Sequence, residues 1–134
     1  KEVKIKFGYT IIYVKDVKAS LAFFENAFGV KTRFIHEQDY GELETGGTVL
    51  AFASHELGKN NLPTGYVAVD ETQKPLGIEI ALVTESVIKA HQNAVNAGAR
   101  SISEPILKPW GQTVSYVQCP DGTLVELCSP VFAK

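Results

Sequence analysis

The 134-residue sequence predicts an α+β fold made of two tandem β-α-β-β-β modules. Three observations indicate this class. An apolar strand pattern is followed by a helical pattern twice in the chain, short strand patterns follow each helix, and equivalent residues recur at a nearly constant offset. We therefore expect one domain, 1–134, with half one at 4–53, a linker at 54–76 and half two at 77–130.

Half one begins with an apolar, alternating strand pattern over 4–14, and a helix follows. Asp16 is a typical N-cap, because its carboxylate accepts hydrogen bonds from backbone N–H groups of the first turn. The apolar face of the helix and its terminal glycine are Val17, Leu21, Phe24, Phe28 and Gly29. Three short strands are predicted next, at 31–36, 39–44 and 48–53. Phe52 is expected to pack against the helix.

The segment 54–77 shows neither periodicity and is rich in glycine, asparagine and proline. It is too long for an ordinary connection in a compact domain. Two interpretations stay open: a solvated connection between the halves, or a binding loop in which 66–69 forms a short strand or arm. In the second interpretation Tyr66 is a candidate lid residue.

Half two repeats the order of half one. The predicted strand 77–83 carries Glu79, and Ser86 is expected to cap the helix that follows. The apolar face of this helix and its terminal glycine are Val87, Ala90, His91, Ala94, Val95 and Gly98. Residues 9–17 align with 79–87 at an offset of 70, and residues 47–52 align with 122–127 at an offset of 75. We infer an internal duplication from this order.

The chain ends in a predicted hairpin. After a short strand at 100–103, strands at 113–118 and 123–128 flank a turn that contains proline, aspartate and glycine. Proline presets φ, and aspartate and glycine tolerate the left-handed region that tight turns need. The last strand places Glu126 among apolar residues. Because burying a bare carboxylate is expensive, Glu126 either lines a cavity or is paired within the sheet.

Composition excludes several classes of function. The net charge is −2, with 13 basic and 15 acidic residues scattered along the chain, which argues against nucleic acid and anionic membranes as partners. No apolar run approaches the ~18 residues of a membrane span. Cys119 and Cys128 lack the spacing of a zinc site, so we expect two reduced thiols and a cytoplasmic protein.

Motifs in both halves carry a family resemblance. They are Val14-Lys15-Asp16-Val17, Leu21-Ala22-Phe23-Phe24 and Phe28-Gly29 in half one, and Ala97-Gly98-Ala99, Pro109-Trp110-Gly111, Pro120-Asp121-Gly122 and Glu126-Leu127 in half two. With them the chain resembles the vicinal oxygen chelate superfamily, which includes glyoxalase I, extradiol dioxygenases, fosfomycin-resistance enzymes and antibiotic-binding proteins of the bleomycin-resistance type. The resemblance implies an open, incomplete barrel with a U-shaped cleft, commonly paired in a homodimer.

The resemblance also implies four positions that hold a metal in the enzymes of that family. They fall on Tyr9 and Glu79 in the first strands and on Ala51 and Glu126 in the last strands. Alanine cannot bind a metal, and a tyrosine with a pKa near ~10 is a poor ligand at neutral pH. We therefore expect a metal-free cleft and no cofactor. The alternative is one divalent metal on Glu79 and Glu126.

Aromatic and small residues suggest a pocket for a ligand instead. Tyr9 and Tyr13 share one face of the first strand, and Tyr116 lies in the hairpin. Trp110 either packs in the core or stacks on a planar or cationic ligand at the cleft mouth. The predicted ligand-binding set is Tyr9, Tyr13, Ala51, Glu79, Trp110, Tyr116 and Glu126. None of the histidines completes a metal site: His36 lies in a strand, His55 begins the linker, and His91 is expected to pack in the core or an interface.

Three functions remain open at this stage. The first is a binding protein that sequesters a small aromatic or cationic compound in a metal-free cleft between subunits. The second is a glyoxalase- or dioxygenase-type enzyme that uses Glu79 and Glu126, with a metal or as a metal-free acid and base. The third is an assembly domain with a vestigial cleft. All three predict a homodimer, because open sheet edges and apolar helix faces are buried by two-fold pairing.

Overall fold

The computed structural model describes residues 2–131 and has three helices and eight strands in that range. Half one contains β1 (Tyr9–Val14), α1 (Val17–Phe28), β2 (Thr32–His36), β3 (Tyr40–Leu43) and β4 (Val49–Ser54), and a short helix, α2 (His55–Asn61), follows. Half two contains β5 (Ile80–Val83), α3 (Val87–Asn96), β6 (Arg100–Leu107), β7 (Thr113–Gln118) and β8 (Leu124–Cys128). The predicted β-α-β-β-β order is present twice.

Each half forms one four-stranded sheet, with the strand orders β1-β4-β3-β2 and β5-β8-β7-β6. In both sheets the first and last strands of the module pair in parallel, and the other pairs are antiparallel. Over residues 2–131 the two sheets do not close into a barrel. The predicted α+β fold class is therefore confirmed, and the matching strand orders support the inferred duplication.

One apolar core connects the halves. Helix α1 contacts β3 and β4, α3 contacts β6, β7 and β8, and the two helices contact each other. Phe24 and Phe52 are fully buried, and their ring centroids lie 5.3 Å apart, so Phe52 packs against α1 as predicted. The same cluster of buried side chains includes Val117 and Leu127 of half two. The helices thus cover one face of each sheet, and the opposite faces remain for a site.

The predicted ends of α1 are confirmed, and Ser86 occupies the predicted N-cap position of α3 without the expected side-chain hydrogen bond. The Asp16 carboxylate accepts a hydrogen bond from the backbone N–H of Ala19 at 3.1 Å, and Gly29 ends α1 with φ of 72°. Ser86 makes no side-chain cap hydrogen bond. Its backbone N–H donates instead to the Thr84 hydroxyl at 3.1 Å, so the threonine holds the turn before α3.

The first strand is shorter than the predicted 4–14. It begins at Tyr9, which lies opposite Val49, the first residue of β4. The Gly8 carbonyl still accepts a hydrogen bond from the Val49 N–H at 2.9 Å. Because β4 starts there, residues 2–7 have no neighbouring strand in their own sheet and continue outside it. The alternating pattern is present, but the partner strand is missing.

Helix α2 corrects the prediction that the linker lacks regular structure. The Ser54 hydroxyl caps it by accepting from the Leu57 N–H at 3.1 Å. Gly58 lies inside the helix despite its low helical propensity. A Cβ at this position would lie 2.6 Å from the Tyr66 hydroxyl and 2.9 Å from Cδ1 of Tyr13, so close packing requires glycine here. Segment 66–69 is not a strand.

The rest of the linker lies against the turn of the terminal hairpin. The side-chain amide of Gln118 donates to the carbonyls of Asp70, Gln73 and Gly122, at 3.4, 3.2 and 3.2 Å. The turn itself forms as predicted, with the Gly122 N–H donating to the Cys119 carbonyl at 2.8 Å.

Two strand limits in half two also differ from the prediction. Strand β5 begins at Ile80, three residues after the predicted start, and β6 continues to Leu107. Cys119 and Cys128 are buried, free thiols. No helix between residues 2 and 131 is both long enough and apolar enough to cross a membrane.

Candidate functional site

Three of the predicted site residues meet on the face of the half-two sheet that points away from α3. Glu126 on β8 lies opposite Ala81 of β5 and Tyr116 of β7, so Glu126 and Tyr116 project from the same face. Glu79 precedes β5 and projects from this face by the alternation of the strand. Glu126 lies close enough to Glu79 and Tyr116 to raise the pKa values of both. We call Glu79, Tyr116 and Glu126 the acidic group.

Within the acidic group, Glu79 titrates near neutral pH. The hydrogen bond to Glu126, followed by burial and the charge of Glu126, raises the pKa of Glu79 to about 7. The Glu79 carboxyl group is therefore about half protonated at pH 7. Burial and the two carboxylates raise the pKa of Tyr116, so its phenol remains a hydrogen-bond donor. Such a pair can act as a general acid and base, or exchange its proton for a bound cation.

Half one carries a second tyrosine–glutamate pair on the equivalent face. The Tyr40 hydroxyl donates to Oε2 of Glu42 at 2.8 Å. Both residues lie on β3, opposite Ala53 and Ala51 of β4. Burial is the main cause that raises the pKa of Tyr40, and the hydrogen bond to Glu42 is the next. Tyr9 lies close enough to raise this pKa further by a smaller electrostatic effect. Tyr9 is thus grouped with Tyr40 and Glu42.

Ala51 marks where the two halves differ. Ala51 in half one is the structural equivalent of Glu126 in half two. Glu42, which lies opposite Ala51, is likewise the equivalent of Tyr116, which lies opposite Glu126. Ala51 is fully buried. The carboxylate of half one therefore comes from β3, whereas that of half two comes from the last strand.

The two tyrosine–glutamate pairs differ in charge. Nε of Arg33 lies 3.7 Å from Oε1 of Glu42 and 3.9 Å from Oε1 of Glu44, so a guanidinium balances the carboxylates of half one. The salt bridges of the described residues involve carboxylates other than Glu79 and Glu126. Over residues 2–131 the carboxyl groups of the acidic group thus form no salt bridge, in contrast to Glu42.

Tyr40 and Glu42 were not among the site residues predicted from the sequence. The resemblance places ligands on the first and last strands, whereas these two residues lie on the third strand of the module. A signal was available, because Tyr40 and Glu42 alternate within the predicted strand 39–44 and so share a face. The alanine at position 51 leaves room for a neighbour, which the strand order identifies as Glu42.

Tyr13 belongs to a different part of the molecule. Its ring stacks on Tyr66 with centroids 5.0 Å apart, and the Tyr66 hydroxyl lies 2.7 Å from Nδ1 of His55. Tyr13 and Tyr66 line a cavity of about 240 Å³ between β1, β5 and the linker, and all the residues that line it are uncharged. These contacts hold Tyr66 against β1.

Trp110 lies at the surface, so its packing in the core is excluded. Its side chain is 64 % exposed in the β6–β7 loop, and its indole N–H donates to Oε1 of Gln112 at 2.9 Å. A role in stacking remains a prediction. His91 packs in the core as expected, with Nδ1 and Nε2 each 2.9 Å from a serine hydroxyl, those of Ser115 and Ser101.

The donor atoms do not match the metal site that the resemblance implies. Only Glu79 and Glu126 among the four equivalent positions offer carboxylates, and Glu79 titrates near neutral pH. Between residues 2 and 131, no group of three histidine, cysteine, aspartate or glutamate side chains converges. Catalytic metal sites in proteins usually have three protein ligands. The residues present therefore do not form a complete metal site within one chain.

Comparison with known families agrees with this fold. The sequence profile of the Glyoxalase/Bleomycin resistance protein/Dioxygenase superfamily matches residues 6–127. The chain belongs to this superfamily. The match covers both halves and the linker, and it includes both sheets apart from the last residue of β8.

Individual relatives span nearly the whole chain. The uncharacterized protein YwbC of Bacillus subtilis (strain 168) is 29% identical over 125 residues, which cover 90% of this chain and 94% of YwbC. A glyoxalase-related enzyme from Fulvimarina pelagi is 22% identical with a TM-score of 0.78, covering 93% of this chain and 88% of that one. TioX from Micromonospora sp. ML1 is 16% identical with a TM-score of 0.67, covering 92% and 98%. These similarities to solved structures support the fold.

Proposed function

We propose that this member of the superfamily is a small-molecule binding protein that sequesters an aromatic or cationic compound at the acidic group without a metal. The observation that carries the proposal is the pairing of Glu79 with Glu126. Two carboxyl groups lie within hydrogen-bonding distance, and the basic residues that form salt bridges lie elsewhere. A positively charged group is the complement that this arrangement lacks.

The neighbouring aromatic ring favours a cation with an apolar part. Tyr116 contributes a phenol ring beside the carboxylates. A cation over an aromatic face gains about 0.5–2 kcal/mol, more when water is excluded. Together these groups suit an aromatic amine or a quaternary ammonium compound.

Calorimetric titration with benzyltrimethylammonium tests the proposal, and benzyl alcohol serves as the neutral counterpart of similar shape. At pH 8 Glu79 is largely ionised. We therefore expect the cation to bind and the alcohol to bind at least ten times more weakly, since a lost charge-assisted contact costs about 1.5–3 kcal/mol. Glu126→Gln and Glu79→Gln should weaken binding of the cation. Glu85→Gln, an exposed change outside the acidic group, should not.

Proton release distinguishes binding at the acidic group from binding elsewhere. At pH 7 a cation that displaces the Glu79 proton should release part of a proton to the buffer, because it stabilises the ionised form of Glu79. Titrations in buffers of different ionisation enthalpy measure this release. Equal affinity for benzyl alcohol, or binding without proton release at pH 7, would contradict the proposal.

A metal-dependent glyoxalase- or dioxygenase-type enzyme remains the second candidate, because Glu79 and Glu126 are adjacent oxygen donors. Elemental analysis of protein purified without chelator separates the two functions. Near-stoichiometric Mn, Fe, Ni or Zn that disappears in Glu126→Gln would favour the enzyme. In a metal-free enzyme the pH–rate profile should instead follow the titration of the two carboxyl groups.

A further inference from the structure

The cavity between β1, β5 and the linker is separate from the acidic group, and we call it the linker cavity. Its volume is about 240 Å³, and the three residues of the acidic group lie outside its lining. Its walls come mainly from 10–13 of β1, 66–69 of the linker and 122–124, where β8 begins. An engineered cavity of about 150 Å³ holds benzene, so the linker cavity has room for a benzene ring with a short substituent.

Thr123 brings an unpaired hydroxyl to this lining. The residue is only 4 % exposed, and over residues 2–131 its Oγ1 is the buried side-chain polar atom that makes no hydrogen bond. Both backbone groups of Thr123 are paired, because its N–H donates to Oδ1 of Asp121 at 2.9 Å and its carbonyl accepts from the Cys119 N–H at 2.8 Å. Buried polar groups in folded proteins nearly always have a partner. A molecule in the cavity can supply the partner that the chain does not.

The other polar groups of the lining restrict the chemistry of that molecule. The Tyr66 hydroxyl lies 2.7 Å from Nδ1 of His55, and the Tyr13 hydroxyl accepts from Nδ2 of Asn61 at 3.5 Å, so both tyrosine hydroxyls already have partners. All the lining residues are uncharged. A charged ligand would lose its hydration here without gaining a counter-charge, which is costly. The cavity therefore suits an uncharged, mainly apolar molecule with a single polar group.

Exposed apolar side chains are concentrated at the linker cavity. Four of its lining residues are between 41 and 78 % exposed, namely Ile11, Leu62, Val67 and Ile78. Single apolar residues at a surface are ordinary, whereas several around one cavity mark a binding site. An apolar molecule that enters the cavity removes part of this surface from water, which favours binding.

The linker wall of the cavity is held in position on both sides. At one side the Tyr66 ring stacks on Tyr13, with centroids 5.0 Å apart. At the other side the side-chain amide of Gln118 donates to the Asp70 carbonyl at 3.4 Å. Residues 66–69 lie between these two contacts. A wall that is already in position loses little conformational freedom when a ligand binds, so the binding free energy is retained.

We propose that the linker cavity is a second small-molecule site, which takes an uncharged, mainly apolar molecule whose hydroxyl or carbonyl group hydrogen-bonds to the Thr123 hydroxyl. A ligand of this class fills the cavity, covers its exposed apolar side chains and gives the buried hydroxyl a partner. The site differs from the acidic group in its residues and in the charge of its ligand. Its failure and that of the proposed function are therefore distinguishable.

Titration with 4-propylphenol and with propylbenzene, followed by methyl NMR at pH 7, tests the proposal. Both probes are uncharged at this pH, and only the first has a hydroxyl group. We expect both to bind at a ratio of one to one. Thr123→Val keeps the shape of the side chain but removes its hydroxyl, so 4-propylphenol should bind about five- to tenfold more weakly and propylbenzene no more weakly. Thr48→Val, the same change at an exposed position outside the lining, should alter neither affinity.

The same spectra locate the site. The methyl signals of Ile12 and Val69, which line the cavity, should shift on binding, whereas that of Ile88 on α3 should not. Leu76→Trp places a larger side chain in the lining and should weaken both probes at least about tenfold, which provides a test that does not depend on Thr123.

Competition separates the linker cavity from the acidic group. An excess of benzyltrimethylammonium should leave the affinity for 4-propylphenol unchanged, because the two sites share no residue. The proposal would be overturned if neither probe bound saturably, if Thr123→Val weakened both probes equally or neither, or if the cation displaced the phenol.

Discussion

The proton of Glu79 determines what the acidic group can bind. When Glu79 loses its proton, the site gains one negative charge on an open sheet face. The pKa of Glu79 is raised to about 7 mainly through its hydrogen bond to Glu126. Small changes of pH near neutrality therefore change the charge of the site. Titration in this range is uncommon for a carboxyl group and is typical of histidine.

Removing the Glu126 carboxylate should bring the pKa of Glu79 back towards the usual value of a glutamate. In Glu126→Gln we expect the pKa of Glu79 to fall from about 7 towards the usual 4.5, because its hydrogen bond to the Glu126 carboxyl group and then the charge of Glu126 are removed. Carboxyl-carbon NMR titration of both proteins measures it directly. Glu85→Gln is the control. An unchanged pKa of Glu79 in Glu126→Gln would show that burial, and not the pair, causes the shift.

The same shift predicts how stability depends on pH. Glu79 binds its proton more tightly in the folded than in the unfolded chain, so between about pH 4.5 and 7 the folded state holds more protons. The contribution of Glu79 to the free energy of unfolding is therefore greatest below pH 4.5. It declines as the pH rises to 7 and is constant at higher pH. Glu79→Gln should remove this decline in thermal unfolding measured from pH 4 to 8. If the thermal stability of the unaltered protein and of Glu79→Gln changed with pH in parallel, the raised pKa would not belong to Glu79.

Buried His91 offers a second prediction at the level of one residue. Its Nδ1 lies 2.9 Å from the Ser115 hydroxyl, and both side chains are almost completely buried. Ser115→Ala leaves this ring nitrogen without a partner, so we expect the free energy of unfolding to fall by about 1–3 kcal/mol. Urea unfolding with an unchanged slope measures the loss. Ser103→Ala on the exposed part of β6 should change it by less than about 0.5 kcal/mol.

At the level of elements, the linker is packed against the terminal turn. Gly122 adopts φ of +100°, and a Cβ there would meet the backbone N of Asp70. Gly46 also has a left-handed φ, of +89°, but open space around it. Both Gly→Ala changes cost about 1–3 kcal/mol in backbone strain. Gly122→Ala should cost a further 1–3 kcal/mol or so, because the linker must move away.

Chemical denaturation of the two glycine variants separates these effects. A greater loss in Gly122→Ala, together with faster hydrogen exchange of the amides in 70–73, would show that the linker leaves the turn. Equal losses in Gly122→Ala and Gly46→Ala would mean that the contact with Asp70 contributes little.

Local signals predicted most elements because they depend on nearby residues. Asp16 and Gly29 set the ends of α1 through their own side chain and backbone, and the proline–aspartate–glycine turn forms for the same reason. Helix α2 was missed because its Gly58 is explained by Tyr13 and Tyr66, which are distant in sequence. Pairing partners likewise decide where β1 begins, and sequence periodicity cannot show them.

The candidate site was predictable to a similar extent. The duplication and the family resemblance place Glu79, Glu126 and Tyr9 on the sheet faces, and the structure joins the first two with Tyr116. Tyr40 and Glu42 required the register of β3 against β4, which the sequence does not provide. Protonation also depends on distances between side chains, so the sequence suggests a raised pKa but not which carboxyl group has it.

At the scale of the whole molecule, the shared core predicts that both halves unfold together. Phe24 of half one and Cys119 of half two belong to the same buried cluster, and α1 contacts α3. Burial raises the pKa of the Cys119 thiol, so a thiol reagent reaches it only when half two opens. Labelling of Cys119 in a Cys128→Ser background therefore reports on half two alone.

A change in half one should then be detected in half two. Phe24→Leu leaves a small gap in the core and should cost about 1 kcal/mol. If the molecule opens as one unit, labelling of Cys119 should accelerate about fivefold, as the population of the open state rises. Phe34→Leu makes the same chemical change at an exposed position of β2 and should leave the rate unchanged. Identical labelling rates in both variants would instead mean that the two β-α-β-β-β modules open independently, as separate units joined only by the linker.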